Sequence, residues 1–119
     1  MAQEVEEMDL RRSIVDAKDG NERKFKVFTG QFYVMRSALR YFCVKKKMSF
    51  TSSKIADNFP VSAPVTGSCL KILEELGVVE ARTESSSPNR YMPEDVNMER
   101  MQKVEEVLID NYEIDEFLP

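Results

Sequence analysis

The chain has 119 residues, 42% hydrophobic and 32% charged with a net charge of -4, which is enough apolar material for one compact core under a well-solvated surface. No stretch approaches the roughly 20 apolar residues of a membrane-spanning helix, and the opening MAQEVEEMDLRR is acidic where a secretion signal would be basic and then apolar, so a cytoplasmic protein is expected. Histidine is absent, Cys43 and Cys69 both fall on apolar helix faces, and glycine-rich phosphate loops are lacking, so no metal site, no cofactor and no enzyme is expected.

In chain order, residues 3–17 (QEVEEMDLRRSIVDA) join good helix formers to apolar Val5, Met8, Ile14 and Val15 and predict a helix, closed by the turn signal KDGNE at 18–22. From Thr29 to Lys46, Phe32, Met35, Leu39, Phe42 and Cys43 share one face and Arg36 and Arg40 the other, with lysines in the last turn; this predicts a second helix. MSF at 48–50 reads as a short extended segment. Thr51 or Ser52 then caps a short helix, SKIADNF, that buries Ile55 and Phe59 and stops before Pro60. Ser62 caps the next helix, with Pro64 in its first turn. Val65, Cys69, Leu70, Leu73 and Leu76 make its core face, Pro64, Gly67, Ser68 and Lys71 face away, and Gly77 supplies the left-handed cap. Val78–Thr83 and Arg90–Met92 read as two strands joined by ESSSPN. Residues 94–113 (EDVNMERMQKVEEVLIDNYE) form a last helix with Met98, Met101, Val104, Leu108 and Tyr112 along one stripe, ahead of the acidic tail IDEFLP.

The net charge conceals three unlike segments. Residues 1–21 carry three basic and six acidic side chains, residues 22–90 twelve and six, and residues 91–119 two and nine. Because salt screens charges beyond about 8–10 Å, the basic middle acts by its own charge. It suits a polyanion, whose binding is driven by counterion release, or it is simply a solvated face.

A short helix, the turn NFPVS, a second helix and a two-stranded loop follow the order of a helix-turn-helix with a wing. The segment SAPVTGSCLKILEELGVV resembles the recognition helix and first wing strand of MarR-like and ArsR-like regulators, through its leading serine, a small residue near the middle, leucines three apart, and LEELG before paired valines. The resemblance covers residues 29–93. It implies a mainly α domain with a small β-hairpin wing (α+β), a winged helix-turn-helix, divided into an N-terminal helix or arm at 1–22, the winged domain at 23–93, and a C-terminal helix with acidic tail at 94–119. It also implies duplex DNA as partner, with the second helix in the major groove and the wing on adjacent backbone or minor groove.

The residues supply a matching face. A helix entering a groove must present short or polar side chains, and Gly67, Ser68 and Lys71, beside Thr66, meet that need; Gly67 can equally serve the close approach of a neighbouring helix. Phosphate donors on the flanks are Ser53 and Lys54 with the cap Ser62, then Arg82, Asn89 and Arg90 on the hairpin, the two arginines having Glu80 or Glu84 as alternative surface partners. Lys45, Lys46 and Lys47 either join them or merely satisfy the helix C-terminus. The resembling regulators carry arginine on the outward face, where this helix offers only Lys71 followed by Glu74 and Glu75, so weak base discrimination is expected. The stripe Met98, Met101, Val104, Leu108 and Tyr112 suits either the domain's own core or a homodimer, and the acidic last helix suits a basic protein partner.

Overall fold

The computed structural model describes residues 2–82 and 89–111, with side chains from residue 8 onward. Helix α1 (Ala2–Gly20) is followed by α2 (Glu22–Gly30), α3 (Phe32–Arg40) with a π-helical turn at Tyr41–Lys45, α4 (Ser52–Asn58), α5 (Ala63–Glu75), strands β1 (Val79–Arg82) and β2 (Arg90–Val96), and α6 (Met98–Asn111). The result is a mainly helical α+β domain with a winged-helix-like layout. No helix among the described residues is long and apolar enough to cross a membrane.

The expected turn at 18–22 contracts to one residue. α1 runs on through Gly20, and Asn21, in extended conformation, caps α2 by accepting the Lys24 N–H at 3.0 Å. The helix expected from Thr29 starts three residues later, at Phe32, because Thr29 and Gly30 close α2, a helix that was not expected, and Gln31 lies between the two. α2 buries Phe25 and Phe28, and Phe28 meets Phe32 of α3 edge-on at a centroid distance of 5.9 Å. The π-helical turn is defined by the Lys46 N–H donating five residues back to Tyr41 O at 2.8 Å. It ends at Lys47, whose φ of 54° is left-handed, with the Met48 N–H closing onto Phe42 O.

Phe50 is the extended residue of MSF. It exchanges both backbone hydrogen bonds with Tyr91, at 3.0 and 2.9 Å, and its ring lies between Phe42 and Tyr91 in a three-ring stack. β1 and β2 are antiparallel, Val79 opposite Val96 and Arg82 opposite Arg90, with an irregularity between Val79 and Ala81. The Ala81 N–H turns away from the ladder and donates to Glu74 Oε2 at 3.0 Å. β2 runs past the expected Met92 through Pro93 to Val96, and α6 starts at Met98 rather than near 94, because Asn97 is the cap: its side chain accepts the Arg100 N–H at 3.0 Å.

α5 ends as its sequence requires. Gly77 has φ +77°, its N–H bonds Glu74 O, and the Val78 N–H returns to Leu73 O, so Val78 is drawn into the core. Arg100 Nε donates to Leu76 O at 2.7 Å, tying α6 to that end.

One hydrophobic core takes residues from every part of the chain. Leu10 and Ile14 of α1 join Phe28, Met35, Leu39, Phe42, Leu70 and Leu73. Met101, Val104 and Leu108 of α6 are fully buried in the same core and Met98 packs half-buried against it, while Tyr112 lies outside the described residues. For Met101, Val104 and Leu108 this corrects the reading as a contact between chains, since side chains with no exposed surface cannot touch a second copy. A partly buried ion pair fixes the register: Arg36 Nη1 lies 2.8 Å from both Glu105 carboxylate oxygens and its guanidinium sits 4.6 Å from the Tyr33 ring centroid. The expected loop ESSSPN, apart from Asn89, and the tail IDEFLP lie outside the described residues.

Candidate nucleic-acid interface

The candidate interface is built on α5. Exposed Ser62 accepts the Val65 N–H at 3.3 Å, which sets the start of the helix and therefore its face. From there Cys69, Leu70 and Leu73 turn inward while Pro64, Lys71, Glu74 and Glu75 are exposed. Thr66 requires a correction: it is fully buried, and its hydroxyl donates to Ser62 O at 2.8 Å. At 3.6 residues per turn it falls in line with Cys69, Leu70 and Leu73, so its hydroxyl reinforces the first turn and is not offered outward.

Gly67 is the more informative residue. A Cβ placed there would meet only Ser52 Oγ, at 3.8 Å, and its φ is not left-handed. Neither packing inside the chain nor backbone conformation asks for glycine, although one in a helix interior costs about 0.8–1.0 kcal/mol relative to alanine. Beside it the Ser68 hydroxyl and the Lys71 ammonium have no side-chain partner among the described residues.

The flanks divide into free and engaged groups. Ser53 is exposed in the first turn of α4, but the Lys54 N–H is taken by Thr51 Oγ1 at 3.2 Å and the Lys54 side chain lies half-buried, its Nζ 6.0 Å from the Phe42 ring centroid. Arg82 is held by Asp95, with Nε 2.8 Å from Oδ2, and more loosely by Glu94; that hydrogen bond and charge raise its pKa further above the arginine norm. These partners come from β2 rather than from Glu80, and Glu84 lies outside the described residues. Arg90, opposite Arg82 in the ladder, and Asn89 before it are exposed, and Arg90 has no ion pair among the described residues. Lys45, Lys46 and Lys47 are exposed and unpaired likewise, with the ammonium groups of Lys45 and Lys46 6.0 and 5.7 Å from the Tyr41 ring centroid.

Two concavities border this region. The outward face of α5 is one wall of a cleft of about 650 Å³ whose other wall is the α1–α2 corner, so that Ser13, Asp16, Asn21 and Lys24 share it with Ser68, Lys71 and Glu75. Sequence reasoning missed that corner because it left α2 unassigned; the signal was Asn21 ahead of Phe25 and Phe28. A second groove, of about 770 Å³, has Val44, Val78, Val79 and Val96 in its lining and Glu74, Glu80, Glu94, Asp95 and Glu99 around them. Among the described residues no group of three or more cysteine and carboxylate side chains is arranged to hold a metal ion. Burial pushes the thiols up to about 11 for Cys43 and about 12 for Cys69, which leaves both protonated at neutral pH. No protein-family model, no curated protein and no solved structure matches the chain.

Proposed function

We propose that the chain is a DNA-binding regulator of transcription, acting in the cytoplasm without catalysis, that lays the outward face of α5 against a duplex. Gly67 carries this reading. It is a costly residue in mid-helix that nothing inside the chain requires, and it sits beside Ser68 and Lys71, where a missing side chain lets a groove come close to the helix axis. Ser53, Ser62, Asn89 and Arg90 lie on the flanks as donors to phosphate, joined by Lys54, while Arg82 is already committed to Asp95. Lys45, Lys46 and Lys47 add unpaired positive charge. The DNA contacts are mainly to the backbone, because only Lys71 offers a long donor to base edges and Glu75 repels phosphate one turn later.

Fluorescence anisotropy of a labelled random-sequence duplex at about 50 and 200 mM salt tests it, since phosphate-driven binding weakens by orders of magnitude over that range. Lys71→Ala and Arg90→Ala should each weaken binding and reduce the salt slope by about one unit, and Arg82→Ala should change it less. No binding at the lower salt, or an unchanged slope in both of the first two variants, would refute the interface. The groove ringed by Glu74, Glu80, Glu94, Asp95 and Glu99 supports a second reading, a module that binds a basic protein partner. That reading takes over if the duplex does not bind.

A further inference from the structure

The cleft between α5 and the α1–α2 corner has a chemistry of its own. Lys24 and Lys71 supply two positive charges and Asp16 and Glu75 two negative ones; all four are exposed, and none is ion-paired with another or with any described residue. Four unpaired charges of balanced sign around one concavity do not suit a small anion held inside it, which would meet Asp16 and Glu75, nor a simple cation, which would meet the lysines. They suit a molecule that carries both signs. Gly20 lines the same cleft; a Cβ there would find no atom within 4 Å and its φ is not left-handed, so neither packing nor backbone conformation requires the glycine and that end of the cleft is open. Ala17 and the buried Ile72 give the cleft an apolar portion, the Ser68 hydroxyl is unengaged, and a volume of about 650 Å³ falls within the range of small-molecule sites.

We propose that this cleft binds a small zwitterion of the amino-acid type, its ammonium toward Asp16 and Glu75 and its carboxylate toward Lys24 and Lys71. Seated there, the ligand fills the space in front of Gly67 and Ser68 and keeps DNA off α5. The exclusion of DNA rests on the function proposed above; the binding of the zwitterion does not.

The test is amide NMR of the isotopically labelled full chain, without DNA, titrated with glycine, β-alanine, γ-aminobutyrate and δ-aminovalerate, a series that scans the separation of the two charges. Butyrate and butylammonium are the single-charge controls. At least one zwitterion should produce saturable shifts at the amides of Ala17, Gly20, Asn21 and Ser68, with a midpoint about tenfold or more below either control. Asp16→Asn and Lys24→Gln, both exposed and outside the proposed DNA contacts, should each weaken that binding about tenfold without moving the thermal midpoint. Equal shifts with the single-charge controls, shifts confined to other residues, or no saturation by about 10 mM of any zwitterion overturn the site. The best zwitterion is then added to the anisotropy titration, where it should move the DNA curve to higher protein concentration. DNA binding that persists unchanged with the cleft occupied overturns the exclusion. If the chain binds the zwitterion but no duplex, the DNA reading and the exclusion fall together and the ligand site stands.

Discussion

Replacing Gly67 with alanine separates two explanations of one residue with a single change. The new methyl group would contact Ser52 Oγ at 3.8 Å and nothing closer, so no cavity is overfilled and no neighbour has to move. What remains is the helix preference of alanine over glycine, about 0.8–1.0 kcal/mol in favour of the folded state, which for a domain of this size raises the thermal midpoint by about 3–5 °C. The same methyl stands where a groove would approach α5, and it should weaken duplex binding about three- to tenfold, or about 0.7–1.4 kcal/mol. Circular dichroism melts and duplex anisotropy on the same preparation read both effects. A lowered midpoint would show that the chain itself needs the glycine, and the reasoning from its open surroundings would fail. A raised midpoint with unchanged affinity would remove α5 from the DNA contact.

Gly77→Ala should act with the opposite sign. The backbone there has φ +77° and the Cβ would stand 3.0 Å from Arg100 Nε, the group that holds Leu76 O, so the urea midpoint should fall by the equivalent of about 1–2 kcal/mol or more; an unchanged midpoint would contradict the left-handed cap. Glu105→Gln leaves the Arg36 guanidinium partly buried without its counter-charge and should destabilise by about 1.5–3 kcal/mol in denaturant melts, whereas a change within error would mean the pair is only superficial. The thiols give a pH dependence. Folded-state values raised to about 11 and 12 mean that their stabilising contribution is complete below the ordinary thiol range near pH 8.5–9 and is lost as pH rises from there through the folded values. Native protein at pH 8 should therefore react with a disulfide reagent far more slowly than urea-unfolded protein, Cys69 more slowly than Cys43, and equal rates in the two states would refute the burial.

The elements legible in the sequence were those whose ends carry local chemistry. Ser62, Pro64 and Gly77 bounded α5 to within a residue, and Thr51 and Pro60 did so for α4, because caps and proline restrict the backbone whatever surrounds them. The α2–α3 break at Gln31 was misplaced to Thr29: α2 was not read as a helix at all, and Phe28 of α2 packs edge-on against Phe32 across the break. The start of α6 was misplaced for a similar reason, since Glu94 and Asp95 suit a first helical turn, yet β2 takes them and Asn97 does the capping. In the site, the outward position of Lys71 was readable from periodicity, and Thr66 was misjudged because it lies next to that face in sequence but one turn-angle inside it. The partners of Arg82 depend on the irregular strand register, which no local pattern announces. The cleft could not be read at all, as it needs the α1–α2 corner and α5, distant in sequence, to be brought together.

The hydrogen bond from the Ala81 N–H to Glu74 Oε2 bears on how the molecule behaves in a crowded solution. A strand at the margin of a small sheet offers its outward amides to any extended chain that passes, and that is how folded proteins template one another into aggregates. Here the offered amide is already taken by a carboxylate lent from the neighbouring helix, and the negative charge also repels the carbonyl oxygens of an incoming strand. The hairpin thus carries its own guard against pairing with other hairpins.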